Sequence, residues 1–578
     1  MNLAYDKNPV WLHQRGLPVV RVIAWAVAVV VGLIETFAMR FWLSADATNY
    51  LDVASAYLRR DFHEAINAYW SPLFSWILAG ALAVFHPAPE SESTLVHVVN
   101  LGGFLLSLRA FEYFLSALLE YRSQLSSGSP EENALPDIGF WVVGYSVFFV
   151  SSFFTLYFPT PTPDAWVCMF TYLAAGLLIS IRVRGASWMR FIALGFVLAL
   201  AYLAKTIYFP LSFVFLLAAW AAAGLAKKSF RFAAASLLSF ALLAGSWIAV
   251  LSRSEQRFTF GDVGKIAFDM YVGRILFQQF WQGENSTGTP LHPVRRLLER
   301  PALFEFATPW NGTHPAGLHW AYWARGLRLH FDLAVFLSIL RQSAGTYFVL
   351  VITQAEFLFA LFFLFFLQPE GSTLFTSIRG MAFLWVPPLV ACLAYALVLV
   401  EGRYVASFLT LLWIAAFFCM FQAAGSVPRK TFLALVLAVA AVSGLRIAKL
   451  AVSDFIVLAS HPRNLDAEVA EALRGLGLSP GDRIASLGSF ADLHWARQAG
   501  LSVVAEIPRG NENFFWRATP ERKDEIFRVL SSTGAKFVVT PGVAPNAAQE
   551  GWLPLGQTAF FAHALPAAGI LNRSANEK

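Results

Sequence analysis

The sequence predicts a polytopic α-helical membrane protein that ends in a small soluble α/β domain. Three observations carry this prediction. Hydrophobic residues make up 57% of the 578 and charged residues only 14%, against about 25% charged in an ordinary soluble domain. Mean hydropathy is +0.56. Apolar runs of bilayer length recur between residues 19 and 451; past about residue 464 they give way to short helical and strand patterns. This composition excludes a disordered chain and argues against a wholly soluble enzyme. The net charge of +6 reads as an excess of cytoplasmic Lys and Arg, not as a nucleic-acid footprint.

The first run, 19–43, is too long for a signal core and lacks a small-residue cleavage site, so it is an uncleaved first span. Further spans are expected at 95–119, 138–157, 165–183, 190–205, 207–226, 230–251, 346–368, 379–400, 404–424 and 428–451, about eleven in all. The run from Trp70 to Phe85 is shorter and opens with Trp70-Ser71-Pro72. Basic residues assign the sides. Arg182, Arg184 and Arg190 flank one cytoplasmic loop, Lys227, Lys228 and Arg231 a second, and Arg429 with Lys430 a third. Residues 44–94, 158–164, 252–345 and the C-terminal region then lie outside, and the N-terminus, with Lys7, Arg15 and Arg21, inside. This parity requires 70–85 to be a juxtamembrane or re-entrant helix. The expected division is a transmembrane region 1–451, including external loops 44–94 and 252–345, and a soluble extracytoplasmic domain 464–578. In the latter, Ala467 to Leu476 and Thr519 to Thr533 read as helices, Arg483 to Leu487 and Ala535 to Thr540 as strands. The localisation that follows is a multi-pass protein of the inner (plasma) membrane.

The three cysteines, Cys168, Cys392 and Cys419, sit far apart in apolar runs, which argues against a disulfide framework or a structural zinc site. Four polar constellations lie at the external face. Asp46, in Ser44-Ala-Asp46-Ala-Thr-Asn-Tyr50-Leu-Asp52, follows the first span, where a carboxylate meets both a lipid head group and an aqueous substrate. It can equally be a solvated loop acid or a helix cap. Asp164 closes Thr162-Pro163-Asp164 and either caps the next helix or faces the same site as Asp46. Glu401-Gly402-Arg403-Tyr404 presents an arginine able to fork onto a phosphate, or to pair with Glu401. Lys205 breaks two apolar runs in a tight hairpin, as a site cation or an interfacial anchor. Two acids and two bases at one membrane face form a credible site.

Other features are ambiguous. Arg109 and Glu112, spaced i,i+3 in one span, suggest a buried pair. Glu35 and Glu356 lie within spans with no relay pattern linking them. Sequons begin at Asn285, Asn311 and Asn572. Trp281, Trp310, Trp320 and Trp323 either stack on sugar rings or form an interfacial belt.

Together, Asp46 followed by Tyr50-Leu-Asp52, the segment Tyr69-Trp-Ser-Pro-Leu73, Thr162-Pro163-Asp164 and the pair Arg403-Tyr404 resemble the GT-C superfamily of integral-membrane glycosyltransferases. That superfamily includes protein O-mannosyltransferases, lipid A aminoarabinose transferases and oligosaccharyltransferases, and the resemblance covers roughly residues 19–450. It implies a GT-C-like fold with juxtamembrane helices in the first external loop. It also implies inverting transfer of a hexosyl or pentosyl group from a polyprenyl-phosphate donor to a glycan, lipid or protein acceptor. Asp46 is then the general base, with Asp164 the second catalytic residue, holding the acceptor, a metal or the neighbours of Asp46. Arg403 and Lys205 hold the lipid phosphate, and Tyr50, Asp52, Glu401 and Tyr404 support them. A divalent metal is a candidate further cation, with its ligands unknown. Rival readings are a lipid-linked glycan polymerase or ligase, a transporter or flippase, and a non-catalytic assembly or sensor protein. Against a transporter, the chain shows no repeated halves.

Overall fold

Long apolar segments bounded by polar breaks fold as helices here, and the computed structural model describes residues 10–125, 130–275, 278–283, 287–306, 309–367, 371–423, 428–488, 493–542 and 550–566. The chain opens with α1 (Val10–Ala38), α2 (Ala45–Arg59), α3 (Phe62–Ala65), α4 (Pro72–Phe85) and α5 (Glu92–Leu125). Among the described residues, eight helices are long and apolar enough to cross a membrane, and nine if the bent pair Leu374–Gly380 and Ala382–Ala396 is one span. The shorter apolar helices include Trp188–Ala204 and Tyr208–Ala222, both expected as spans. The helix α4 has 14 residues, about 21 Å at roughly 1.5 Å per residue, short of a ~30 Å hydrocarbon core. It packs on α2, with the Tyr50 and Phe74 rings edge to face at 5.2 Å.

Two expected spans are redrawn. The run 346–368 is not one helix: Leu333–Ile352 and Ala355–Phe366 are separate. The first starts earlier because Asp332 caps it, accepting from the amides of Ala334 (2.8 Å) and Val335 (3.0 Å). The break falls at Gln354, whose amide donates to Thr155 Oγ1 at 3.1 Å; a buried polar side chain takes its partner from a facing helix. The run 379–400 bends by 73° at Met381.

The core of the membrane region is aromatic. The Phe104 and Phe158 rings stack at 4.6 Å, and α5 packs along the helix Asp164–Arg184. The expected Arg109–Glu112 pair does not form. Arg109 points outward, and Glu112, 1% exposed, instead accepts from Arg21 (2.9 and 3.2 Å), Trp25 (3.1 Å) and Tyr145 (2.7 Å). Residues three apart on a helix are neighbours, but a facing helix offered more donors. Glu356 pairs with Arg446 of the last membrane helix, and Glu35 is buried.

Beyond the membrane helices lies a seven-stranded sheet among the described residues. Its strands are β1 (Arg295–Glu299), β2 (Ala302–Glu305), β3 (Arg483–Leu487), β4 (Ser502–Ile507), β5 (Phe537–Pro541), β6 (Leu553–Pro554) and β7 (Phe560–Ala564). Their order is β1-β2-β4-β3-β5-β7-β6. The central pairs β3–β4 and β3–β5 are parallel, as expected where a helix follows each strand. The helices Leu465–Gly475 and Pro520–Ser532 and strands β3 and β5 lie at the positions expected from sequence. The hairpin β1–β2 does not belong to the tail. It comes from loop 252–345 and joins the sheet through β2 against β4, with Phe304 opposite Glu506. Loop and tail therefore share one sheet.

Candidate active site

Each polar break in the membrane region delivers one side chain to a common place. The first turn of α2 is capped by Ser44, whose Oγ accepts from the Ala47 amide at 3.3 Å. Asp46 is thereby freed from capping, in a turn where the helix dipole favours an anion. Asp164 is the first residue of the helix Asp164–Arg184, and Thr162 Oγ1 donates to its Oδ2 at 2.8 Å. Lys205 ends the helix Trp188–Ala204 in extended conformation, which swings its ammonium onto Asp164 Oδ1. Arg403 opens the helix Gly402–Ala423. Gly402 allows this: a Cβ there would lie 2.5 Å from the Thr155 carbonyl oxygen.

The four groups form two linked ion pairs. Arg403 Nε donates to Glu401 at 2.7 Å and Nη1 to Asp46 Oδ2 at 3.3 Å. The Lys205 ammonium lies 3.7 Å from the centre of the Tyr404 ring, and Arg403 Nη2 is 3.3 Å from the Tyr404 hydroxyl. The Tyr404 ring stacks on Tyr395 at 5.4 Å. Asp164 is nearly sealed at 4% side-chain exposure, while Asp46 and Glu401 each keep 38%. All line a cavity of about 830 Å³, within the roughly 300–1,000 Å³ usual for ligand sites. Burial at its floor pushes the Asp46 carboxyl above the ordinary carboxylate range, with Arg403 opposing. One flank of the cavity is polar. The other is apolar, with Ile207, Pro210, Val398 and Leu399.

The other residues singled out from sequence fall on different surfaces. Tyr50 lines the cavity and packs its ring on Trp70 at 5.0 Å. Asp52 does not reach it. Six residues beyond Asp46, it accepts from Thr313 (2.9 and 3.0 Å) and Arg497 (2.6 Å). The tryptophans divide three ways. Trp320 lines the cavity, stacked on Tyr69 at 5.5 Å. Trp281 and Trp323 are buried in the loop's own packing, donating to Thr287 and to the Pro315 carbonyl, which corrects both the stacking and the belt readings for them. Trp310 is sandwiched between His319 (3.6 Å) and His63 (4.6 Å). Of the sequons, Asn311 is described, with its backbone N–H donating to Glu64 Oε1 at 2.9 Å; Asn285 and Asn572 lie outside the described residues.

Sequence reasoning missed the roof. The helix Val263–Tyr271 and its approach supply Arg257, Asp262 and Lys265, and His314 adds an imidazole. Arg257 pairs with Asp262, and Lys265, the only lysine of loop 252–345, donates to the Leu327 carbonyl at 3.0 Å. His314 Nε2 lies 3.3 Å from Glu506 Oε2 on β4. A lone lysine in an external loop was the available signal; the imidazole had none. Among the described residues no three His, Cys, Asp or Glu side chains come together as a metal site.

No family model matches the sequence, and no curated protein does. Solved structures do match. ArnT from Cupriavidus metallidurans in the apo state superposes with a TM-score of 0.53 at 11% identity, covering 94% of this chain and 97% of that one. The same protein bound to undecaprenyl phosphate gives 0.53 at 10% identity over the same shares. The oligosaccharyltransferase of Archaeoglobus fulgidus, in complex with Zn and sulfate, gives 0.39 at 13% identity, over 89% of this chain and 68% of that one. Over 94% of its length, then, this chain has the fold of ArnT.

Proposed function

We propose that the protein is an inverting glycosyltransferase that moves a sugar from a polyprenyl-phosphate donor to an acceptor at the external face of the membrane. One observation carries this reading: Asp46, Asp164, Lys205 and Arg403 meet in one cavity with an apolar flank. The ArnT fold supports it, and the ArnT structure holding undecaprenyl phosphate supports the donor class. In the step proposed, the acceptor hydroxyl oxygen bonds to the anomeric carbon as the bond from that carbon to the phosphate oxygen breaks. The hydroxyl proton passes to Asp46. The electron pair leaves with the lipid phosphate, whose charge grows by one.

The chain's own residues answer each demand. Asp46 is in the cavity with one oxygen on Arg403 and the other available to a proton; a positioned base contributes about 10²–10⁴-fold. The raised carboxyl makes it a stronger base than a solvated aspartate. Arg403 and Lys205 face the growing phosphate charge. Arg403 spends three of its five donors, on Glu401, Asp46 and the Tyr404 hydroxyl, and keeps two for oxygen ligands. Asp164 holds the ammonium of Lys205 in place and is itself held by Thr162. Lys265 adds positive charge from the roof, while Arg257 is balanced by Asp262. Sidedness follows from the basic loops: N-terminus cytoplasmic, cavity and sheet external.

The test is transfer from radiolabelled polyprenyl-phosphate sugars by the purified protein and by Asp46→Asn. The expected result is transfer by the wild type, and a drop of about 10²-fold or more in the variant with donor binding intact. Full transfer by Asp46→Asn would refute the base assignment. No transfer from any such donor would refute the function.

A further inference from the structure

A second cavity, of about 530 Å³, lies between α2 and the sheet domain. It adjoins the first, and no residue lines both. Thr313 borders the second while its neighbour His314 borders the first, and on the helix His494–Ala499 Arg497 faces the second while Leu493, just before it, faces the first. The helix α2 runs past both. Asp46 sits at one end of it and Arg59, on the wall of the second cavity, at the other, about 20 Å away at roughly 1.5 Å per residue.

The walls of the second cavity have a particular chemistry. Their charges are mostly settled in pairs: Arg497 with Asp52 and Glu92, and Arg59 with Glu64 at 3.2 Å. Fixed pairs of this kind offer both donors and acceptors in rigid positions without a net field. Arg483 is exposed at the rim and makes no ion pair among the described residues. Asp61 caps α3 with one oxygen, accepting from the Glu64 amide at 3.3 Å, and has the other to offer. Three glycines in the left-handed region, Gly312 (φ 105°), Gly481 (φ 90°) and Gly500 (φ 71°), leave bare main chain along the walls. The indole N–H of Trp310 has no acceptor among the described residues. An anion would call for surplus cations, which this lining lacks, and a lipid for uncharged wall, where here four acids and three arginines stand among the apolar residues. It suits a ligand whose adjacent hydroxyls both donate and accept, against planar guanidinium and carboxylate groups.

We propose that this cavity binds an uncharged or zwitterionic oligosaccharide, and that it is the distal subsite for the acceptor, holding the far end of a sugar chain whose near end reaches Asp46. The acceptor role rests on the transferase reading. The binding site does not, and the two are separable by experiment. Full-length protein in detergent is applied to an array of defined neutral, zwitterionic and acidic oligosaccharides, alongside Arg483→Ala and Asp61→Asn. Asn caps a helix as well as Asp, so Asp61→Asn spares α3, and exposed Arg483 tolerates alanine.

The wild type should retain neutral or zwitterionic chains. Arg483→Ala should weaken retention by about tenfold or more, the effect of losing hydrogen bonds from a charged donor. Asp61→Asn, which keeps the cap and loses the carboxylate acceptor, should weaken it as well. The proposal is overturned if the wild type retains no oligosaccharide, if it retains only acidic ones, or if Arg483→Ala binds as the wild type does. Retention without transfer from any polyprenyl-phosphate sugar would keep the site and sink the transferase reading. Transfer without retention would do the reverse.

Discussion

Replacing Arg497 with alanine should undock the sheet domain from α2. Its guanidinium makes four hydrogen bonds across that junction: two to Glu92 (2.7 and 3.1 Å), one to Asp52 (2.6 Å) and one to Ser55 (2.9 Å). The arginine is 10% exposed and its acid partners 6% and 16%. Burial opposes the charge on Arg497, but Glu92 and Asp52 outweigh it and hold its pKa up. Truncation leaves two buried carboxylates facing each other without a cation, and breaking a buried pair in this way costs about 3–5 kcal/mol. A loss of about 3 kcal/mol is roughly a 10²-fold rise in the opening constant. Hydrogen exchange on full-length protein reads it directly. Protection over Val53–Arg59 of α2 and over the helix His494–Ala499 should fall by that factor, while helices deep in the membrane are unaffected. Arg497→Lys, which keeps the charge and loses the planar fork, should fall between. The triple variant Arg497→Met, Asp52→Asn, Glu92→Gln should recover most of the loss, since the penalty lies in the unpaired acids. Protection in Arg497→Ala within about threefold of wild type would refute the argument.

Arg403→Ala should weaken binding of polyprenyl phosphate by about tenfold or more, with Arg403→Lys restoring little, measured by titration of the lipid into nanodiscs. Transfer should fall as pH drops through the raised pKa of Asp46, because only the carboxylate takes a proton; the acid limb of the rate profile should therefore lie above the ordinary carboxylate range and be absent in whatever activity Asp46→Asn retains. His319, held neutral by burial with its pKa lowered to about 3, binds fewer protons folded than unfolded. Its contribution is complete above the ordinary histidine pKa and is lost as pH falls, so acidification from 7 to 5 should destabilise the external loop by about 2 kcal/mol, and His319→Phe should remove that dependence in a pH series of thermal melts. Cysteines introduced near residues 60, 90, 300 and 520 should be labelled from outside intact cells; labelling of position 300 only from the cytoplasm would overturn the sidedness.

The membrane half of the cavity was legible because each of its polar residues interrupts an apolar run. Asp46, Asp164, Lys205 and Arg403 stand at the ends of hydrophobic segments, and charge sidedness puts all four at one face before any contact is known. The roof was not legible. Lys265, Asp262 and His314 lie in a loop whose periodicity is weak, and their partners are distant in sequence: the Asp262 amide donates to the Ala68 carbonyl (2.7 Å), and His314 faces Glu506 on β4, about two hundred residues on. Pattern reading sees neighbours along the chain and is blind to such pairing. Glu112 makes the same point on a smaller scale. Its partner three residues away was visible in the sequence, and its actual partner, Arg21, lies on another helix. Gln354 shows the converse: one polar side chain inside an apolar run ended a helix because Thr155 was there to receive it.

The shared sheet also has a consequence for the order of events during synthesis. The segment that roofs the cavity leaves the ribosome well before β4, the strand that anchors it through β2 and through the Val503 amide on the Thr313 carbonyl (2.9 Å). The helix Val263–Tyr271 can dock on earlier elements, with the Asp262 amide on the Ala68 carbonyl (2.7 Å) and the Tyr202 hydroxyl on the Phe260 carbonyl (2.8 Å), but β2 must wait some two hundred further residues for its partner strand. Long-range pairing of this kind is slow and comes late. A chain ending before Ser502 would lack Glu506, the acid that the His314 imidazole faces at 3.3 Å. The imidazole above the cavity thus meets its carboxylate partner only once β4 is in place, so the electrostatics of the roof are completed by a strand from the other end of the chain.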